Sequence, residues 1–122
     1  MYPIFDIIKD TDYIVLATPI YTWYCPAEMK LFLDRLYGFN KKYGTVTGSY
    51  LAGKKIAILA THGYDQKFAC TPLVTGIKSL CTHANMMYCG IYSVVDSDDI
   101  ASMQTSEAIA GAKSFADSLC EY

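Results

Sequence analysis

No stretch of this sequence approaches the apolar run of about 18 residues that a membrane-spanning helix needs. The only apolar segment near the N-terminus is interrupted by Asp6 and Asp10, so it does not read as a signal peptide. There is no basic block, and the formal net charge is −2, which argues against nucleic acid as the main partner. The five cysteines, at 25, 70, 81, 89 and 120, are odd in number and irregular in spacing, with no C-x-x-C. Neither a disulfide framework nor a zinc site is therefore expected, and reduced thiols in a cytoplasmic protein are the plain reading. G-x-S-x-G is missing, no Ser/His/Asp or Cys/His arrangement stands out, and there is no glycine-rich phosphate cradle. Repeats, low-complexity tracts and linkers are absent as well.

What remains is a chain of 122 residues, the size of one domain, with 52% apolar and 18% charged residues. Aromatics reach 14%, and eleven of them are tyrosines. The apolar pattern changes period along the chain. YIVLA at 13–17, IAILA at 56–60 and a third run from about Met86 to Val95 are short and unbroken, as strands covered on both faces are. Helical spacing lies between them. Met29, Phe32, Leu33 and Leu36 share a face in 26–37, with Pro26 at the start and Gly38 just past the end. Leu73, Ile77, Leu80, Cys81 and Ala84 form a stripe in 71–84, with Thr71 as candidate N-cap and Asn85 at the stop. Ala108, Ile109, Ala112, Phe115, Ala116 and Leu119 do the same in 105–120, and a short helix over 3–10 carries Ile4, Ile7 and Ile8.

The order αβαβαβα predicts a parallel α/β sheet. If the three strands sit in sequence order, right-handed crossovers put the helices at 26–37 and 71–84 on one face, leaving the last helix to cover the other nearly alone. Such a sheet is incomplete: either βαβ elements are lost from the N-terminal side, or another subunit supplies the cover. If a first strand is truly absent, the edge at 13–17 is unpaired and prone to association, so a dimer or larger assembly is expected.

Ligands of open α/β sheets bind beyond the carboxyl ends of the strands. Those ends are predicted at Thr18–Cys25, Thr61–Cys70 and Ser93–Asp99. The first holds an unusual knot, TPIYTWYCP, in which Tyr21 and Trp23 offer flat faces and hydrogen-bonding edges to a planar ligand. Packing against a neighbouring subunit would explain the same aromatics equally well. His62 stands at a strand end, as an acid or base, a ring contact, or a loop histidine donating to a carbonyl. Cys25 precedes a helix N-terminus, where a thiolate is favoured, although a small residue at an N-cap is the simpler account. His83 with Cys81 and Cys89 would make a metal set, but Cys81 belongs to a core stripe, and no metal site is expected. Leu31, opposite the core stripe of its helix, hints with Tyr37 at a subunit contact.

The run DYIVLATPIYTWYCPAEMKLFLDRLYG resembles the central segment of the NADPH-dependent FMN reductases, a flavodoxin-like family that includes the iron–sulfur flavoproteins. Asp12, Ile14, Thr18, Pro19, Ile20, Tyr21, Met29, Lys30, Leu33, Asp34 and Arg35 stand at the matching positions. L-x-G-K-K (Leu51, Gly53 to Lys55), T-H-G (Thr61 to Gly63) and M-x-Y-x-G (Met86, Tyr88, Gly90) fit further on. The resemblance implies a single flavodoxin-like three-layer domain over 1–122, whose strands are the third, fourth and fifth of the family sheet. It implies FMN as cofactor and NAD(P)H as co-substrate, with hydride transfer through the flavin to an acceptor. Pro19, Ile20, Tyr21, Thr22 and Trp23 would line the isoalloxazine, His62, Gly63 and Tyr64 would approach its pyrimidine side, and Thr18 and Thr61 would complete the cofactor-binding set. Because the cofactor carries the chemistry, no catalytic side chain is expected. The family opens with a strand and a G-S-x-R loop that holds the FMN phosphate. No such segment stands here, so the expectation is of an N-terminally truncated domain, with a flavin-free structural or dimerisation module as the alternative.

Overall fold

The computed structural model describes residues 2–39, 50–98 and 100–121. The elements follow the order α1 (Tyr2–Lys9), β1 (Tyr13–Pro19), α2 (Ala27–Phe39), β2 (Lys55–His62), α3 (Gln66–Ala84), β3 (Met87–Val95), a short 3₁₀ turn (Ile100–Met103) and α4 (Ser106–Leu119). The strands form one parallel sheet in the order β1-β2-β3. Asp99, the last residue of the third expected loop, lies outside the described residues.

β2 is central, and Ile56, Ala57 and Ile58 along it are completely buried. Leu36 from α2, Leu73 and Ile77 from α3, Ile8 from α1, and Ile14 and Leu16 from β1 join it in one core. Full burial of each large aliphatic contributes about 1.5–3 kcal/mol, so this face of the sheet holds the domain together. Among the described residues, the other face has only α4. Tyr92 of β3 donates its hydroxyl hydrogen to the Ala108 carbonyl at 2.9 Å, and its ring lies 6.1 Å from that of Phe115. None of the described residues of α4 is fully buried, and Ile109 is 52% exposed.

Coverage of β1 departs from the expected two faces. It alternates buried and exposed residues, with Ile14, Leu16 and Thr18 inward and Val15 and Ala17 outward. The reason is lateral: α4 stands over β3, and nothing among the described residues stands over β1. A groove of about 600 Å³ runs between α4 and the strands, lined by Ala17, Leu59, Thr61, Tyr92, Ala108 and Ile109 among others. A second, of about 630 Å³, lies beside β1 and is lined by Ile4, Val15, Met29 and Phe32 among others. The apolar stripe of α4 thus faces a groove rather than a packed core.

Two boundaries also move. α3 begins at Gln66 rather than near Thr71, because Asp65 caps it: its carboxylate accepts from the Phe68 amide at 3.1 Å. Thr71 bonds back to the Lys67 carbonyl inside the helix, and Pro72 is an interior residue. Residues 66–70 are therefore helix, and Cys70 is buried in it rather than lying on a loop. α2 runs through Gly38 to Phe39. Asn85 does end α3, with φ 58° in the left-handed region.

β3 carries a bulge. Ile56 pairs with Tyr88 but Ile58 with Ile91, so one extra residue is accommodated at Cys89–Gly90. Gly90 takes φ +115°, a conformation that side-chain-bearing residues rarely adopt.

Candidate functional site

The carboxyl ends of β1 and β2 meet where the Ile20 amide donates to the Thr61 carbonyl at 2.8 Å. The chain then reverses within four residues. Tyr21 and Tyr24 exchange backbone hydrogen bonds, N–H to O of 2.8 and 3.0 Å. Thr22 and Trp23 between them have φ of 51° and 64°, as a type I′ turn requires. Asn and Gly normally fill such places; two residues with Cβ atoms, one of them β-branched, carry about 1–3 kcal/mol of strain each. Tyr24 points inward onto the core, and burial raises its phenol pKa. The turn is therefore anchored by Tyr24 and presents Tyr21 and Trp23 outward, 62% and 40% exposed.

Trp23 meets the second loop. Its ring lies 6.0 Å from that of Tyr64 at 16°, nearly parallel, and Phe68 packs edge-on against both at 5.6 and 5.1 Å. Phe68 belongs to the first turn of α3, in a segment whose sequence shows no apolar helical stripe to signal it. Between the loops lies a cleft of about 230 Å³ lined by Ile20, Thr22, Trp23, His62, Gly63, Tyr64 and Ala69. A Cβ on Gly63 would meet nothing within 4 Å, so the backbone there is open to close approach.

The ten expected site residues divide. Ile20, Thr22, Trp23, His62, Gly63 and Tyr64 come together in this cleft. Thr18, Pro19 and Thr61 line the groove beneath α4 instead, and the Thr18 hydroxyl is bonded to the Pro19 carbonyl at 2.8 Å. Tyr21 projects outward from the turn. His62 is 3% exposed, with both ring nitrogens engaged: Nδ1 lies 2.5 Å from the Tyr64 carbonyl and Nε2 2.8 Å from Ser93 Oγ. The Ser93 oxygen also accepts from Gln66 Nε2 at 2.7 Å.

Cys25 is not an activated thiol. It is buried, and desolvation raises its pKa. Cys70 and Cys81 are raised for the same first cause. Among the described residues no three His, Cys, Asp or Glu converge on a metal-sized space. His83 lies against Tyr37, ring centroids 5.1 Å apart and 20° from parallel, so the tyrosine considered for a subunit contact has a partner within its own chain. Asp34 pairs with Lys30 at 2.6 Å on the exposed face of α2. No described helix is long and apolar enough to cross a membrane.

The profile of the flavodoxin-like fold matches residues 4–118, and the chain belongs to that family. Solved structures agree on the fold. The Trp repressor binding protein from Bacillus subtilis superposes with a TM-score of 0.75 at 20% identity, over 91% of this chain and 67% of that one. General stress protein 14 from Treponema denticola, in complex with FMN, gives 0.71 at 21% identity, over 95% and 69%. An FMN-dependent NADH-azoreductase from Bacillus anthracis, also in complex with FMN, gives 0.68 at 14% identity, over 98% and 60%. No curated protein sequence matches the chain significantly.

Proposed function

We propose that this chain is the ring-binding part of an FMN-dependent NAD(P)H oxidoreductase. The observation that carries the reading is the cleft at the carboxyl ends of β1 and β2, walled by a strained aromatic turn and open at Gly63. Flavodoxin-like sheets, ordered 2-1-3-4-5, hold FMN at the switch point beside the third strand. With β1, β2 and β3 as the third to fifth strands, the outer edge of β1, which no described strand pairs, and the Ile20–Trp23 turn stand at that point.

The residues fit the ring better than the phosphate. Trp23 and Tyr64 offer aromatic faces, and the Gly63 backbone can approach a heterocycle edge. Among the described residues no glycine-rich turn follows a strand to cradle a phosphate. Bound FMN would supply hydride acceptance from NAD(P)H and onward transfer to an acceptor. The chain's own share is to orient the ring, exclude water from one face with Ile20 and the aromatic wall, and present backbone groups to its edge.

The chain has one tryptophan, Trp23, inside the site. Titration with FMN should quench its emission and bring the flavin absorbance bands into the protein fraction on gel filtration. NADH or NADPH should then be oxidised when an electron acceptor is added. Colourless protein that takes up no FMN overturns this reading. The exposed edge of β1 and the apolar groove beside it favour the second reading, a dimerisation module. On either reading we propose an assembly of two or more chains that occludes this edge, and a dilute monomer by light scattering would rule it out.

A further inference from the structure

With the imidazole neutral, the hydrogen bonds around His62 fix which ring nitrogen carries the proton. The Tyr64 carbonyl can only accept, so His62 Nδ1 must carry a hydrogen. In the neutral ring Nε2 is then a bare acceptor, and the Ser93 hydroxyl hydrogen must point at it. The Ser93 oxygen keeps lone pairs free, and the Gln66 amide donates to one of them. The chain Gln66 to Ser93 to His62 to the Tyr64 carbonyl runs in one direction, with every member satisfied.

Its members come from three elements: His62 ends β2, Ser93 lies on β3, and Gln66 opens α3. The His62 carbonyl is tied as well, accepting from the Asp96 amide at 2.7 Å. By contrast, Gly63 and Tyr64 are exposed and no regular element holds them. The imidazole is the strut between the rigid sheet and this short loop. Through the Tyr64 carbonyl it sets the backbone from which the Tyr64 ring leans on Trp23.

We propose that Ser93 and Gln66 are positioning residues of the cleft: they lock His62 as its Nδ1–H tautomer and thereby hold the Gly63–Tyr64 wall in a geometry ready for a planar ring. His62 then serves by placement, since neither ring nitrogen is left over to act on a ligand as acid, base or hydrogen-bond partner. The ligand half of this inference rests on the flavin reading above; the tautomer half does not.

The test uses the ¹⁵N-labelled full chain, with His83→Gln to leave one imidazole in the spectrum. The flavin-free protein should show the Nδ1–H tautomer. In Ser93→Ala the tautomers should mix and the Gly63 and Tyr64 amides should exchange faster, while Ser93→Thr, which keeps a hydroxyl, should restore both. Gln66→Ala, a surface change that leaves the core intact, should shift the same signals less. FMN affinity should fall about tenfold in Ser93→Ala and recover in Ser93→Thr. An Nε2–H tautomer in the parent protein, or Ser93→Ala with unchanged His62 and loop signals, overturns the strut. Altered signals with unchanged FMN affinity overturn its link to the cleft. If the parent protein binds no FMN, the flavin reading fails, and the tautomer and exchange results alone decide the strut.

Discussion

Gly76 in the middle of α3 lies against the ring of Tyr24: a Cβ built on it would stand 2.6 Å from the Tyr24 hydroxyl oxygen. The absence of a side chain on one helix is therefore what lets the aromatic turn anchor on the core. Gly76→Ala gains helix propensity of about 1 kcal/mol but forces Tyr24 outward, and overpacking of this kind costs about 1–3 kcal/mol. Net destabilisation is expected in a denaturant titration. With Tyr24→Phe the nearest remaining ring atoms stand at 3.5 Å, so the double variant should recover stability and the cycle should show clear coupling.

Thr22 is β-branched and held at φ 51°. Asparagine tolerates that region better. Thr22→Asn should raise stability by about 0.5–1 kcal/mol, read as a higher denaturant midpoint with an unchanged slope. An unchanged or lower midpoint would show the turn to be unstrained.

Desolvation raises the pKa of Cys25, Cys70, Cys81, Tyr24 and Tyr88 in the folded chain. Their protonated forms are favoured by folding, so the contribution is fully present below the unfolded values, about 8.5 for thiols and 10 for phenols. It is lost as pH rises through the folded values, where the unfolded chain binds fewer protons than the native one. Unfolding free energy should be flat in these groups' contribution through neutrality and fall from about pH 8.5 upward. Cys25 should also resist alkylation at neutral pH, and rapid labelling there would contradict its burial.

Lys54 is buried, and its ammonium donates to the carbonyls of Lys9, at 3.0 Å, and Thr11. It ties the end of α1 to the start of β2. Lys54→Met keeps the stem but leaves both carbonyls without that donor, at about 1–3 kcal/mol. Thermal unfolding should show the loss, and amide exchange should rise first around residues 9–12.

Much of the fold was legible because burial writes periodicity into sequence. β2, buried on both faces, reads as the unbroken IAILA, and Asn85 marks the end of α3 by its tolerance of positive φ. The site loop was legible from TPIYTWY, a concentration of rings beyond a strand. Other features left no mark. A local cap by Asp65 outcompeted Thr71, and the choice lay in one side-chain hydrogen bond. The split of Thr18, Pro19 and Thr61 from the cleft follows from strand ends lying two residues further along than the apolar runs suggest. Ser93 and Gln66 meet His62 only across the sheet and the start of α3, which no local pattern encodes.

Gly90 acts as a phase marker for the last strand. Its extra residue lets Ser93 stand beside Ala60, on the side of the sheet that His62 also faces, while Tyr92 turns to α4. A regular strand that kept every residue, as Gly90→Val would favour, would exchange odd for even downstream of that position. The hydroxyl under the imidazole and the phenol under the last helix would then trade places.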